Sequence, residues 1–195
     1  GSDNYPLFVF IHGGYWRMLS KNESSFMAPN LTKHGIGVAA INYTLAPKAD
    51  IDQIVDECRR AIKWLYDNAK SHGIDRDRIY VGGSSAGGHL TGMMVSGGWP
   101  EKFDLPVDVI KGGVPISGLF DMEPIVKCFV NEWMQMSMED GLRNSPDRNL
   151  PNKGCPLIVA VGVDETDEFR RQSEDFASLW RENGWSAEYL QCKGS

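Results

Sequence analysis

Short apolar runs recur along the chain, and between them apolar residues return at every third or fourth position. The runs are Leu7–Ile11, Gly37–Ile41, Ile79–Gly82, Ile110–Ile116, Leu157–Val161 and Ala187–Leu190. Most are continuous segments of Val, Ile and Leu type, the pattern of strands covered on both faces in a parallel sheet. The clearest helix opens near Asp50, with Ile51, Ile54, Val55, Cys58, Ile62 and Leu65 falling on one side of a 3.6-residue period. An apolar helical segment, Leu90–Val95, follows the third strand. A further helix is predicted from about Asp167 to Asn183, carrying Phe169, Phe176, Leu179 and Trp180 on its apolar face and stopping at Gly184. Strands alternating with helices in this way predict an α/β fold, a doubly wound and mostly parallel sheet. With no repeat, low-complexity tract or linker, residues 1–195 read as one domain. The stretch from Met122 to Pro156 is less regular and rich in Met, Asn and Pro. It reads either as cover over a site or as a surface excursion.

Composition narrows the picture. The chain has 195 residues, 42% hydrophobic and 24% charged, enough to bury a core without disulfides or metals. A net charge of −6 leaves no basic patch for a nucleic-acid partner. No apolar run approaches the roughly 20 residues that span a bilayer, so no membrane partner is expected. Cys58, Cys128, Cys155 and Cys192 form no C-x-x-C pair and read as reduced, small buried residues. With no signal-peptide pattern at the N-terminus, they point to a cytoplasmic protein. No cofactor or metal is expected. The expected partner is a small-molecule substrate, and nothing argues against a homodimer.

The chemistry concentrates in two motifs. Gly83-Ser84-Ser85-Ala86-Gly87 fits G-x-S-x-G with Ser85 at its centre, whereas centring on Ser84 would put Ala86 where the closing glycine belongs. The motif lies between a strand and a helix, where a tight turn lifts the serine hydroxyl above the sheet edge. His12-Gly13-Gly14-Tyr15-Trp16 directly follows the first strand. Its glycines let backbone amides approach a ligand, and the amides of Gly14, Tyr15 and Ala86 are candidates for an oxyanion hole. His12 reads as a loop-stabilising residue and His89 as one held against its own helix, so neither is expected to act as base. His34 and His72 end polar helical stretches and are expected in solvent.

Together, "HGGYW", "INYTLAP", "GGSSAGGHL", "GGVPISGLFDMEP" and "DEFRRQSEDFA" resemble the kynurenine formamidase group. That group is a branch of the α/β-hydrolases close to the hormone-sensitive-lipase-like esterases. The resemblance implies metal-independent hydrolysis of N-formyl-L-kynurenine to kynurenine and formate through a Ser–acid–His triad. In such triads the acid follows the strand equivalent to Leu157–Val161, where "VGVDETDEF" offers Asp164, Glu165 and Asp167. Aligning Glu168-Phe169-Arg170-Arg171-Gln172 with the group's motif places the acid at Glu165, with Asp164 as the alternative. One of these acids is also expected to cap the helix beginning near Asp167. Trp16 and Trp133 are candidate walls for an aromatic ring, core packing being the competing use.

The triad base should follow the last strand, yet no histidine occurs after His89. Both ends of the chain are abrupt, and Gly1-Ser2 reads as a cloning remnant. The expectation is the central portion of an α/β-hydrolase, without the fold's first strands and its C-terminal histidine segment, and nearly inert alone. Two other readings stay open: a short-acyl carboxylesterase, and a pseudoenzyme or binding module that lacks the base.

Overall fold

The computed structural model describes residues 4–194, so the reading of Gly1-Ser2 lies outside the described residues. Six parallel strands form one sheet: β1 (Tyr5–Ile11), β2 (Gly37–Ile41), β3 (Ile74–Ser84), β4 (Ile110–Ile116), β5 (Leu157–Gly162) and β6 (Ala187–Cys192), in the spatial order β2-β1-β3-β4-β5-β6. Between them run α1 (Ala28–Lys33), α2 (Ile51–Asn68), α3 (Ala86–Val95) and α7 (Asp167–Glu182). The irregular stretch between β4 and β5 holds three short helices, α4 (Glu123–Val126), α5 (Asn131–Met134) and α6 (Met138–Arg143). This is the expected α/β-hydrolase arrangement.

The helix predictions hold for physical reasons visible locally. Asp50 caps α2, its carboxylate accepting from the Gln53 amide at 2.8 Å, and Ile51, Ile54, Val55, Cys58 and Ile62 are all buried. Every residue of α3 is buried, because this helix packs against β1, β3 and β4 and against α2. Such a helix has no polar face, which is why the sequence announced only its second half.

Three expectations are corrected. The third strand is longer than Ile79–Gly82, because the polar "IDRDR" of its exposed first half pairs at Ile74 with Tyr5. The last strand is not covered on both faces: β6 is an edge strand in which Ala187 and Tyr189 are half-buried and alternate with exposed residues. The cysteines are not uniformly buried, since Cys128 and Cys155 are half-buried and Cys192 is exposed. Among the described residues no helix is long and apolar enough to cross a membrane.

Candidate active site

Parallel strands bring their carboxyl ends to one edge of the sheet, the edge where open α/β sheets hold ligands. His12, Ser85, Ser117 and Glu165 follow the ends of β1, β3, β4 and β5, which are successive neighbours in the sheet.

Ser85 sits at φ 57°, ψ −117°, a conformation unfavourable for any residue with a side chain. Its amide donates to the Ile116 carbonyl at 2.9 Å, and its carbonyl accepts from the His89 amide at 3.0 Å. The residue is thus pinned between the end of β4 and the first turn of α3. A side-chain carbon at Gly87 would collide with the carbonyl oxygens of Ile11 and His12, so the elbow can press against the end of β1 only with glycine there. Ser84, by contrast, is the last residue of β3 and is paired with Ile116. The Ser85 hydroxyl does not cap α3. The residue lines a cavity of about 280 Å³ together with its neighbour Ser84 and with Phe10, Gly13, Gly14, Leu19, Glu23, Ser24 and Phe26.

The His12–Trp16 loop runs beside the serine. Gly14, Tyr15 and Trp16 take φ values of 97°, 54° and 56°, three successive left-handed residues of which two carry side chains. The Gly14 carbonyl accepts from the amides of Arg17 and Met18 at 2.9 and 3.0 Å. The amides of Gly14 and Tyr15 donate to no carbonyl among the described residues. The amide of Ala86, in the first turn of α3, likewise has no intrahelical acceptor. Tyr43 braces the loop: its hydroxyl donates to the His12 carbonyl at 3.0 Å, and its ring stacks on the His12 imidazole at 4.2 Å. The imidazole's Nδ1 lies 2.8 Å from the Gly13 carbonyl, and burial holds the His12 pKa below the usual histidine range.

The two tryptophans part company. Trp16 is fully buried, so it lines no ring site; its indole N–H donates to His89 Nδ1 at 3.3 Å. Trp133 is half-buried, and its indole N–H donates to the Tyr15 carbonyl at 3.1 Å. Its ring lies 5.7 Å from that of Phe129 and 6.4 Å from that of Tyr15, with the Arg17 guanidinium 4.9 Å above it. His89 is wholly buried between Trp16 and the Asn144 carbonyl, which lies 2.8 Å from Nε2. Burial pushes its pKa down to about 4. His34 and His72 are exposed, as expected.

Of the three acids after β5, Glu165 is the one engaged at the sheet edge. Its Oε1 accepts from the Ser117 hydroxyl and from the Gly162 amide. Asp164 is exposed, and Asp167 pairs with Arg170. None of them caps α7: the capping position is Thr166, which makes no side-chain cap bond. The carboxylates of Asp167 and Glu168 instead lie in the first turn, where they complement the helix dipole. The sequence reading gave Ser117, Tyr43 and Asn144 no role, although Tyr43 and Ser117 lie within the quoted INYTLAP and GGVPISGLFDMEP stretches. Ser117 had a usable signal, since it directly follows the end of β4, as Ser85 follows β3. Among the described residues no three His, Cys, Asp or Glu side chains group to hold a metal ion.

Residues 1–135 match the family described as BD-FAE. The chain belongs to the BD-FAE family. This BD-FAE chain is 40% identical over 176 residues to the kynurenine formamidase of Salmo salar, covering 88% of itself and 58% of that protein. To the kynurenine formamidase of Danio rerio it is 39% identical over 180 residues, covering 90% and 59%. It therefore spans less than two thirds of the length of these curated relatives. Among solved structures, an esterase of Pyrobaculum calidifontis is similar with a TM-score of 0.84 at 22% identity, over 99% of this chain and 68% of that one. That last likeness is one of fold. The BD-FAE chain is thus an α/β-hydrolase related to kynurenine formamidases, with esterases as structural neighbours.

Proposed function

We propose that this chain carries the catalytic core of a metal-independent serine hydrolase that cleaves an aryl formamide, N-formyl-L-kynurenine, to kynurenine and formate. The observation that supports it most is the strained Ser85 elbow beside a loop whose Gly14 and Tyr15 amides are unspent. In this reading the Ser85 oxygen attacks the formyl carbon and its proton passes to a base. The amides of Gly14, Tyr15 and Ala86 receive the oxyanion in a preorganised setting. Collapse of the tetrahedral intermediate breaks the C–N bond and leaves a formyl ester on Ser85, the aryl amine departing with the base's proton. Water then releases formate. Glu165, steadied by Ser117, orients the base and stabilises its cation.

The base is an imidazole that none of the four histidines provides: His12 and His89 are buried in bonds of their own, and His34 and His72 are exposed just before the amino ends of β2 and β3, away from the strands' carboxyl edge. In the fold's chain order it follows the acid. Strands lie about 4.8 Å apart, so Ser85 over β3 and Glu165 over β5 leave a gap of one strand that an imidazole could bridge. Identity of about 40% to formamidases over most of the chain supports the formamide over the ester. A short-acyl ester is the second reading, supported by 33% identity over 112 residues to a carboxylesterase of Mycobacterium tuberculosis.

The test supplies imidazole in solution and follows N-formyl-L-kynurenine hydrolysis and fluorophosphonate labelling in wild type and Ser85→Ala. The expected result is imidazole-dependent turnover and an adduct on Ser85, both lost in the variant. Equal rates in both proteins, with no adduct on Ser85, would reject the reading.

A further inference from the structure

The loop that offers the Gly14 and Tyr15 amides is strained, since Tyr15 and Trp16 both hold left-handed conformations that are unfavourable for a residue with a side chain. Something must hold it. Tyr43 braces only its His12 end. At the other end Trp16 is anchored twice, its carbonyl accepting from the Ala46 amide at 2.8 Å and its buried indole reaching His89.

The indole contact fixes more than a ring position. An indole nitrogen only donates, so Nδ1 of His89 must present its lone pair to Trp16 at 3.3 Å. The single proton of the neutral ring therefore sits on Nε2 and is donated to the Asn144 carbonyl at 2.8 Å. Either the other tautomer or the imidazolium would set an N–H against the Trp16 N–H. The rings meet edge to face, with centroids 5.2 Å apart, and both residues are fully buried. Asn144 is in turn tied to α2, its side-chain amide donating to Asp52 at 2.7 Å. A chain of hydrogen bonds thus runs from the loop through α3 to the segment after α6 and on to α2.

We propose that His89 is a positioning residue: locked as the Nε2–H tautomer, it holds the Trp16 indole and so keeps the Gly14 and Tyr15 amides aimed at the oxyanion beside Ser85. The proposal rests on the serine-hydrolase reading for its catalytic consequence and on geometry alone for the tautomer. It also gives the Met122–Pro156 excursion a role, because that segment supplies Asn144 to His89 and Trp133 to the Tyr15 carbonyl.

The experiment has two arms. Ring nitrogen shifts from NMR of the 195-residue chain should show His89 as the neutral Nε2–H tautomer throughout the neutral range, with a slowly exchanging Trp16 indole proton. An Nδ1–H tautomer at His89, or a His89 ring titrating near neutrality, would overturn the proposal whatever Ser85 does. The second arm follows acylation by p-nitrophenyl acetate, with imidazole supplied, in wild type, Trp16→Phe, His89→Leu and His89→Asn, each checked for native melting. Trp16→Phe and His89→Leu should lower the maximal acylation rate about ten-fold or more with little change in the half-saturating concentration. His89→Asn, whose amide oxygen can replace Nδ1, should restore most of the rate. Native-like Trp16→Phe acylating at the wild-type rate would overturn the positioning role. Acylation that survives Ser85→Ala would instead reject the hydrolase reading while leaving the tautomer result standing.

Discussion

The Ser117 hydroxyl donates to Oε1 of Glu165 across the ends of two neighbouring strands. Ser117 holds φ 47°, with its amide bound to the Ala160 carbonyl at 2.7 Å, so its direction is set by β5 itself. With Gly162 also donating, two donors hold the carboxylate at the sheet edge. In the presence of imidazole, Glu165→Gln should lower turnover far more than Asp164→Asn, which should stay near wild type. Ser117→Ala should fall between them, by roughly ten-fold, as expected for losing a hydrogen bond to a charged group. Rates for the three variants in one assay decide the matter, and a larger loss in Asp164→Asn would move the acid.

The frame of the serine motif is tested by the neighbouring pair. Ser85→Ala should reduce Ser85-dependent hydrolysis to what the oxyanion hole alone sustains, a loss of several orders of magnitude in a competent triad. Ser84→Ala, at the end of β3, should be far milder. A reversed order of damage in steady-state rates would place the nucleophile at Ser84.

Gly87 should tolerate no side chain. A methyl group there meets the carbonyls of Ile11 and His12, backbone atoms that can move only by distorting the elbow. Gly87→Ala should destabilise the chain by about 3 kcal/mol or more, in the range of severe backbone conflicts. Denaturant unfolding gives the number, and a loss below that of an ordinary surface change would mean that the elbow can open.

His89 should make the fold acid-sensitive. Its folded pKa of about 4 lies below the ordinary 6.5, so its contribution is present above pH 6.5 and is lost as pH falls toward 4. The linked loss is on the order of 3 kcal/mol. Stability measured across that window should fall more steeply in wild type than in His89→Asn, which has no proton to gain. Parallel curves would contradict a neutral buried ring.

Asp147 should act with the opposite sign. Burial first, and then the charge of Asp121, push its pKa up to about 6 from 3.8, and its buried Oδ1 has no partner among the described residues. Its stabilising contribution is complete below pH 3.8 and disappears as pH rises through 6. Asp147→Asn should therefore stabilise the chain at pH 8, by about 1 kcal/mol once solvent screening of a half-exposed group is allowed for. Near pH 4 it should do little. Thermal melts at the two pH values distinguish this from a general packing effect, which would appear at both.

By itself the sequence determined the fold class and the strand–helix alternation, and it singled out Ser85 rather than Ser84 as the candidate nucleophile. It could do so because these depend on local rules: the period of apolar residues, the Asp50 cap, and the glycines a tight turn demands. Through chain order it also pointed to the stretch that holds the candidate acids, although its expectation that one of them caps α7 failed, because Thr166 takes that position. What only the tertiary structure decided are relationships between residues far apart in the chain. Ser117 meets Glu165 because β4 and β5 are adjacent, and Tyr43 reaches His12 because β1 and β2 are. Trp16, equally suited by composition to a substrate wall or to the core, was assigned to the core by the burial of α3 beneath it. The same packing converts His89 from an ordinary helix residue into the acceptor for that indole. Periodicity tells which way a side chain faces, but hydrogen-bond partners separated by 73 residues, as these are, exist only once the sheet has ordered its strands.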